Sequence, residues 1–205
     1  MSAVEEALPQ SDRLRVVHRR PAVDLPAAEQ AVAALLRALG RDPASAHLTD
    51  TPRRVAGAYA ELLTARPFDL TTFPNDEGYD ELVLARDLPV QSLCEHHLLP
   101  FRGVAHVAYL PGSRILGLSK LARVVELFAG DLQVQERLTQ QVADWLQDAL
   151  APRGVGVVIE AEHLCMSLRG VRAAGARTTT SALHGVLRED ARSRQEFFAL
   201  AGTGR

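Results

Sequence analysis

Lysine is almost missing from this sequence. Of 23 basic residues one alone is lysine, Lys120, and the rest are arginine. A coding bias toward arginine explains the replacement on solvated surfaces, where either cation serves. The lysine that persists then marks a position calling for a compact ammonium, which a guanidinium fork does not replace; a chance survivor on a solvated face is the equal alternative at this point. Cysteine is scarce too, with only Cys94 and Cys165, far apart in the chain. In a cytoplasmic protein, the expected setting here, such a pair is read as thiolates on a metal and not as a disulfide. No apolar run approaches the roughly 20 residues that cross a bilayer. Residues 1–24 carry Glu5, Glu6, Asp12 and several arginines without an apolar stretch, so they read as a flexible arm and not as a secretory leader. A formal net charge of −2 gives no general attraction for polyanions, and neither a nucleic-acid nor a membrane partner is expected. Phosphate binding would need a local cluster of cations.

What remains is 205 residues, 47% hydrophobic, enough for one substantial core and a small helical appendage. Residues 25–79 form the appendage. Asp24 caps a predicted helix that runs to Gly40, with Ala31, Leu35, Leu36 and Leu39 on one stripe. Thr51-Pro52 opens a second, reaching about Ala65. Arg66 to Tyr79, rich in Pro, Thr, Asp and Gly, is expected to be a loop. Residues 80–205 read differently. Strands are predicted at Leu82–Leu84 and Val104–Leu110, helices at Ser119–Ala129 and Gln133–Leu150, strands at Val155–Met166 and Thr178–Leu187, and a last helix at Asp190–Leu200. Strand pairs separated by helices indicate an α+β fold with antiparallel pairing.

The densest chemistry is Cys94-Glu95-His96-His97. Sulfur and imidazole nitrogen are ligands that zinc takes in tetrahedral geometry. The second element is His163-Leu164-Cys165 at the end of an apolar strand, where residues two apart share a face. Cys94, His97 and Cys165 would give three ligands and leave one position for water, the mark of a catalytic site. His96 and His163 then stand as an acid–base pair in a useful pKa range. A fourth histidine ligand, closing a structural site, is the competing reading.

Gly117-Leu118-Ser119-Lys120, with Arg123 a turn later, places a hydroxyl, the lone lysine and free amides at a helix start, where phosphates bind. An ordinary capped surface helix fits the same residues. Arg169-Gly170 supplies a candidate second clamp. In Gln133-Val134-Gln135-Glu136-Arg137, Glu136 is either a dipole-pairing carboxylate or a bidentate acceptor for the N–H edge of a guanine.

Taken in order, Ser92 to Phe101, Gly117 to Lys120, Gln133 to Thr139, and His163 to Met166 with Arg169-Gly170-Val171 resemble GTP cyclohydrolase I. The match runs from about residue 25 to the last helix. The resemblance implies a tunnelling fold, an antiparallel four-stranded sheet with two helices, here preceded by a helical hairpin. It implies a homodecamer of two stacked pentamers with sites between subunits, and conversion of GTP and water to 7,8-dihydroneopterin triphosphate and formate. By position, Cys94, His97 and Cys165 are implied zinc ligands, His163 the proton donor and His96 its assistant. Ser119, Lys120, Arg123 and Arg169 are the implied triphosphate clamp, Gln135 and Glu136 the guanine anchor. The sequence departs from the family pattern at Gly57, where a basic residue is usual, and at Gly130-Asp131, where arginines are common. A same-fold paralogue making a specialised pterin or deazapurine, and a zinc-stabilised nucleotide-binding protein without turnover, are the alternative functions.

Overall fold

The computed structural model describes residues 4–7, 14–17 and 22–202. The chain divides into a helical unit, Arg19–Thr64, and a larger unit made of Met1–His18 with Ala65–Arg205. The helical unit therefore ends at Thr64, earlier than the boundary expected at residue 79.

Within the helical unit, α1 (Leu25–Ala38) starts where Asp24 accepts the Ala27 N–H at 3.0 Å, and α2 (Thr51–Leu62) starts after Asp50. Thr51 is thus the first helical residue of α2 and not its cap. The Asp50 carboxylate is taken up instead by Arg54 at 3.0 Å. Leu35 and Leu39 of the predicted stripe remain exposed.

The larger unit begins with two short strands, β1 (Val4–Ala7) and β2 (Leu14–Val17), in the segment expected to be a flexible arm. They pair antiparallel, and β2 pairs in turn with β3 (Phe68–Leu70). β4 (Thr72–Pro74) follows and pairs with β7 (Arg114–Leu116). The loop expected over residues 66–79 is corrected by these two strands. Their partners lie dozens of residues away, so no local pattern announces them.

The main sheet contains β5 (Val83–Cys94), β6 (Pro100–Leu110), β8 (Leu132–Gln133), β9 (Gly154–His163) and β10 (Thr178–Gly185), in the order β10-β9-β6-β5-β8. The four long strands are antiparallel throughout, and only the two-residue β8 runs parallel to β5. α3 (Ser119–Ala129) and α4 (Gln135–Leu150) bury Leu121, Val125, Leu138 and Leu146 against Val90, Phe101, Val107, Val157 and Ile159 of one sheet face. The α+β class and the tunnelling-fold layout of four antiparallel strands with two helices are both present.

The opposite face is covered in part by α7 (Ala191–Ala201), which follows the one-turn α6 (Val186–Glu189) and packs Phe197 and Ala201 on Ala108 and Val158. β9 is buried on both faces here, which is why Val155 to Ile159 is continuously apolar and not alternating. At Gly103 the β6 and β9 backbones come so close that a Cβ would sit 1.9 Å from the Glu160 carbonyl oxygen, and only glycine is accommodated. Asp87 adopts φ 55° at a bulge in β5, and its N–H is donated to His106 Nδ1 at 3.4 Å. No helix among the described residues is long and apolar enough to cross a membrane.

Candidate active site

β5 runs straight into the Cys-Glu-His-His sequence. Cys94 is its last residue and donates its N–H to the Leu99 carbonyl at 2.8 Å, while the His97 and Leu98 amides fold back onto the Cys94 carbonyl. Leu98 takes φ 55° to close the turn. This tight return brings His97 Nδ1 to 3.7 Å from Cys94 Sγ.

The third partner arrives from β9. His163 is the last residue of that strand, and a single helical turn, α5 (Leu164–Ser167), carries Cys165. The same-face expectation for His163 and Cys165 along a strand is therefore corrected: the chain leaves extended geometry between them, and helical winding presents the thiol. The ligand atoms of Cys94, His97 and Cys165 lie within 4.8 Å of one another. In a tetrahedral zinc site with bonds of about 2.0–2.3 Å, ligand atoms stand roughly 3.5–3.8 Å apart, so the three atoms need little adjustment to share an ion. Both cysteines are free and buried. Burial first, then the neighbouring Cys94 thiol, push the Cys165 thiol above its ordinary value. A cation beside it would favour the ionised form of the Cys165 thiol, and the donor set of two thiols and an imidazole fits a zinc ion.

His163 is held from two sides. Its ring stacks on Phe101, its cross-strand neighbour, with centroids 4.7 Å apart and 12° between planes. Its Nε2 lies 2.7 Å from Gln135 Oε1. The amide of Gln135 has only one sensible orientation, because its Nε2 sits 3.0 Å from the Ile159 carbonyl and 2.9 Å from the Thr178 carbonyl, both acceptors only. Oε1 must then accept, and Nε2 of His163 must donate. Its proton-exchanging atom is Nδ1. Thr139 donates to the Gln135 carbonyl at 2.7 Å, leaving Thr180 to donate to Thr139 at 2.6 Å and to accept from Gln135 Nε2 at 3.1 Å. Burial lowers the His163 pKa, and the charge of Glu136 opposes this in part.

Gln135 therefore stands elsewhere than a guanine contact would require. Its side chain is 1% exposed and every polar atom is engaged inside the protein. Glu136, next in the first turn of α4, is exposed. His96 is also exposed, with Nε2 3.7 Å from Glu95 Oε1 and its ring 6.3 Å from that of His97.

On α3 the expected cap is displaced by one residue. Leu118 occupies the N-cap position without a side-chain bond, and Ser119 is the first helical residue. Lys120 is half-buried, with Nζ 6.0 Å above the Phe68 ring. Arg123 is exposed and pairs with Glu126 at 2.8 Å. Arg169 is exposed in the turn after α5, beside Gly170 at φ 63°. Among the described residues, no hydrogen bond or ion pair ties Ser119, Lys120 or Arg169 to the cysteine–histidine group.

The departures from the family pattern have local settings. Gly57 on α2 has open space where a Cβ would stand, whereas a Cβ on Gly130 would come within 3.1 Å of Ala65 Cα. Asp131 next to it accepts the Leu132 N–H at 2.7 Å, and its carbonyl accepts from Ser92 at 3.1 Å. Two charged residues escaped assignment from sequence, Glu95 and Arg137, which form an ion pair. Both lie inside the recognised motifs, so the motifs themselves were the signal.

Residues 28–202 match the family model described as GTP cyclohydrolase I. The GTP cyclohydrolase 1 of Mycobacterium ulcerans is 56% identical over 180 residues, covering 85% of this chain and 89% of that protein. The GTP cyclohydrolase 1 of Aquifex aeolicus is 52% identical over 179 residues, 87% of this chain and 97% of that protein. That of Thermobifida fusca is 52% identical over 179 residues, 85% and 86%.

Proposed function

Because the chain belongs to the GTP cyclohydrolase I family, we propose that the cysteine–histidine group is the site at which it opens the imidazole ring of GTP, yielding 7,8-dihydroneopterin triphosphate and formate. The observation that carries this reading is the meeting of two thiols and an imidazole within 4.8 Å, on a strand end adjoining His163, an imidazole whose tautomer is fixed.

Cys94, His97 and Cys165 would hold zinc, which when bound supplies Lewis acidity and an activated water at neutral pH. The remaining work belongs to side chains. His163, anchored through Nε2, gives or takes a proton at Nδ1. Its lowered pKa makes the cationic form a ready donor to a purine ring nitrogen as the C8–N9 bond opens. His96, exposed at the rim, assists in the second hydrolysis, which frees formate. The ribose then rearranges and closes onto the liberated amine.

Glu136 accepts from the N1–H and exocyclic amine of guanine, one position along α4 from the residue that fixes His163. Base recognition and proton delivery are thereby referenced to one helical turn. Ser119, Lys120, Arg123 and Arg169 take the triphosphate. Lys120, half-buried over an aromatic ring, offers the compact charge that its retention as lysine suggests.

The family's decamer of two pentamers requires self-association, which the outer edge of β10, unpaired among the described residues, and exposed Leu118, Leu168 and Val171 support. Thiolate ligands are kept reduced in a cytoplasmic setting.

The test is to mix zinc-loaded protein with GTP and follow formate and the pterin absorbance together. Equal amounts are expected. His163→Ala should abolish both while GTP and zinc remain bound. Undiminished turnover by that variant would remove His163 from the mechanism, and GTP binding without any product from the parent protein would reduce the chain to a binding protein.

A further inference from the structure

Arg137 is the one cation of α4, and its guanidinium is heavily engaged. Its Nε donates to Gln133 Oε1 at 3.0 Å, and its Nη2 donates to the Leu132 carbonyl at 2.8 Å and to Glu95 Oε2. Gln133 is itself fixed, because its Nε2 donates to the Phe128 carbonyl at 2.9 Å and to Gln141 Oε1 at 2.8 Å. The guanidinium is thus set in a planar frame of three acceptors, a geometry that an ammonium does not reproduce.

Glu95 receives this frame at a sensitive place. It lies between Cys94 and His96, its N–H is donated to the Gln133 carbonyl at 3.0 Å, and its second carboxylate oxygen faces His96 Nε2 at 3.7 Å. Backbone and side chain of Glu95 are both tied to the β8–α4 segment. Among the described residues, His96 forms one ion pair, with this carboxylate, and one ring contact, with His97.

We propose that Glu95 and Arg137 are positioning residues: Arg137 locks the Glu95 carboxylate, and the carboxylate holds the exposed His96 ring toward the reacting purine. The inference rests on the reading of His96 as a proton-transfer group and goes beyond it by naming what aims that ring. The first turn of α4 then reaches both histidines, His163 directly through Gln135 and His96 through Arg137 and Glu95.

A double-mutant cycle separates this from a passive ion pair. Zinc content, GTP dissociation constant, KM and kcat are measured for the parent and for Glu95→Ala, Arg137→Ala, the double variant and Arg137→Lys. Glu95→Ala should lower kcat about 10- to 100-fold, the usual span for a misaligned proton-transfer group. KM and zinc content should stay within about twofold of the parent in every variant. Arg137→Ala should fall similarly, and the double variant should be no worse than Glu95→Ala, because the arginine acts through the carboxylate. Arg137→Lys, which keeps charge and fold but loses the planar frame, should recover only part of kcat.

A kcat within twofold of the parent for Glu95→Ala overturns the proposal. Multiplying losses in the double variant also overturn it, since the two residues would then act separately. Zinc lost in proportion to activity assigns the pair to holding the metal turn and not His96. Failure of the reading beneath it shows differently: the parent protein would itself release no formate.

Discussion

The two halves of the site are built in opposite ways. Around His163 the polar side chains are tied together: Gln135 is buried and bonded to the ring, both threonines are linked, and Phe101 lies flat against the ring. Around the proposed phosphate end, Ser119, Arg123 and Arg169 are exposed, and among the described residues only Arg123 has an acidic partner. The first half is pre-organised, with geometry fixed before substrate arrives. The second is an exposed hydroxyl and two exposed guanidiniums without such a network. Chemistry that moves protons tolerates little misplacement, whereas a flexible triphosphate is held adequately by mobile charge.

The strongest way to break this contrast is Gln135→Ala. It releases His163 and leaves the Ile159 and Thr178 carbonyls without their donor. We expect kcat to fall by about 100-fold, together with about 1–3 kcal/mol of stability, read by steady-state kinetics and urea unfolding. A fall in activity without loss of stability would mean that the buried network matters less to the fold than its geometry implies.

Lys120→Met probes the other half. One charge-assisted contact contributes about 1.5–3 kcal/mol, so KM for GTP should rise by roughly 10- to 100-fold, with the unfolding midpoint unchanged. Arg123→Ala should do less, because Glu126 already draws on that guanidinium. If Lys120→Met lowered stability as Gln135→Ala does, the two halves would not differ in the way described.

The smallest expected effect lies outside the site and provides a reference. Burial lowers the His106 pKa; the charges of Asp87, Arg86 and Glu160 modulate it, and Asp87 and Glu160 oppose the shift. The unfolded chain then binds more protons than the folded one as pH falls through about 6.5. The stability that His106 contributes is complete above that pH and is lost progressively below it. His106→Gln, which can still accept the Asp87 N–H, should flatten the acid limb of stability against pH and leave GTP turnover unchanged.

Much of the site was legible in the sequence because its residues cluster in short motifs. Cys94 and His97 are three apart, and one tight turn suffices to bring them together. Cys165 was reached by an argument about strands that the backbone does not follow, since the chain winds into a helical turn directly after His163. Gln135 shows where such reading stops. Its partners, Ile159, Thr178, Thr180 and His163, come from two other strands, and nothing in its own neighbourhood distinguishes a residue facing substrate from one facing a histidine. β3 and β4 were missed for the same reason, being three-residue strands defined by distant partners. The helices α3 and α4 were legible because amphipathic periodicity is local.

The crowding of three duties into consecutive residues of α4 bears on how this enzyme could be redesigned. Gln135 is committed to His163 and Arg137 to Glu95, so of the triplet only the exposed Glu136 makes no side-chain hydrogen bond or ion pair among the described residues, although its charge acts on His163. A programme to change the accepted base should therefore randomise position 136 and the surfaces opposite it, while leaving its two neighbours untouched. Libraries that vary all three together would mostly sample proteins whose proposed acid–base groups have lost their bearings. They would report a failure of selectivity where the true failure is one of alignment.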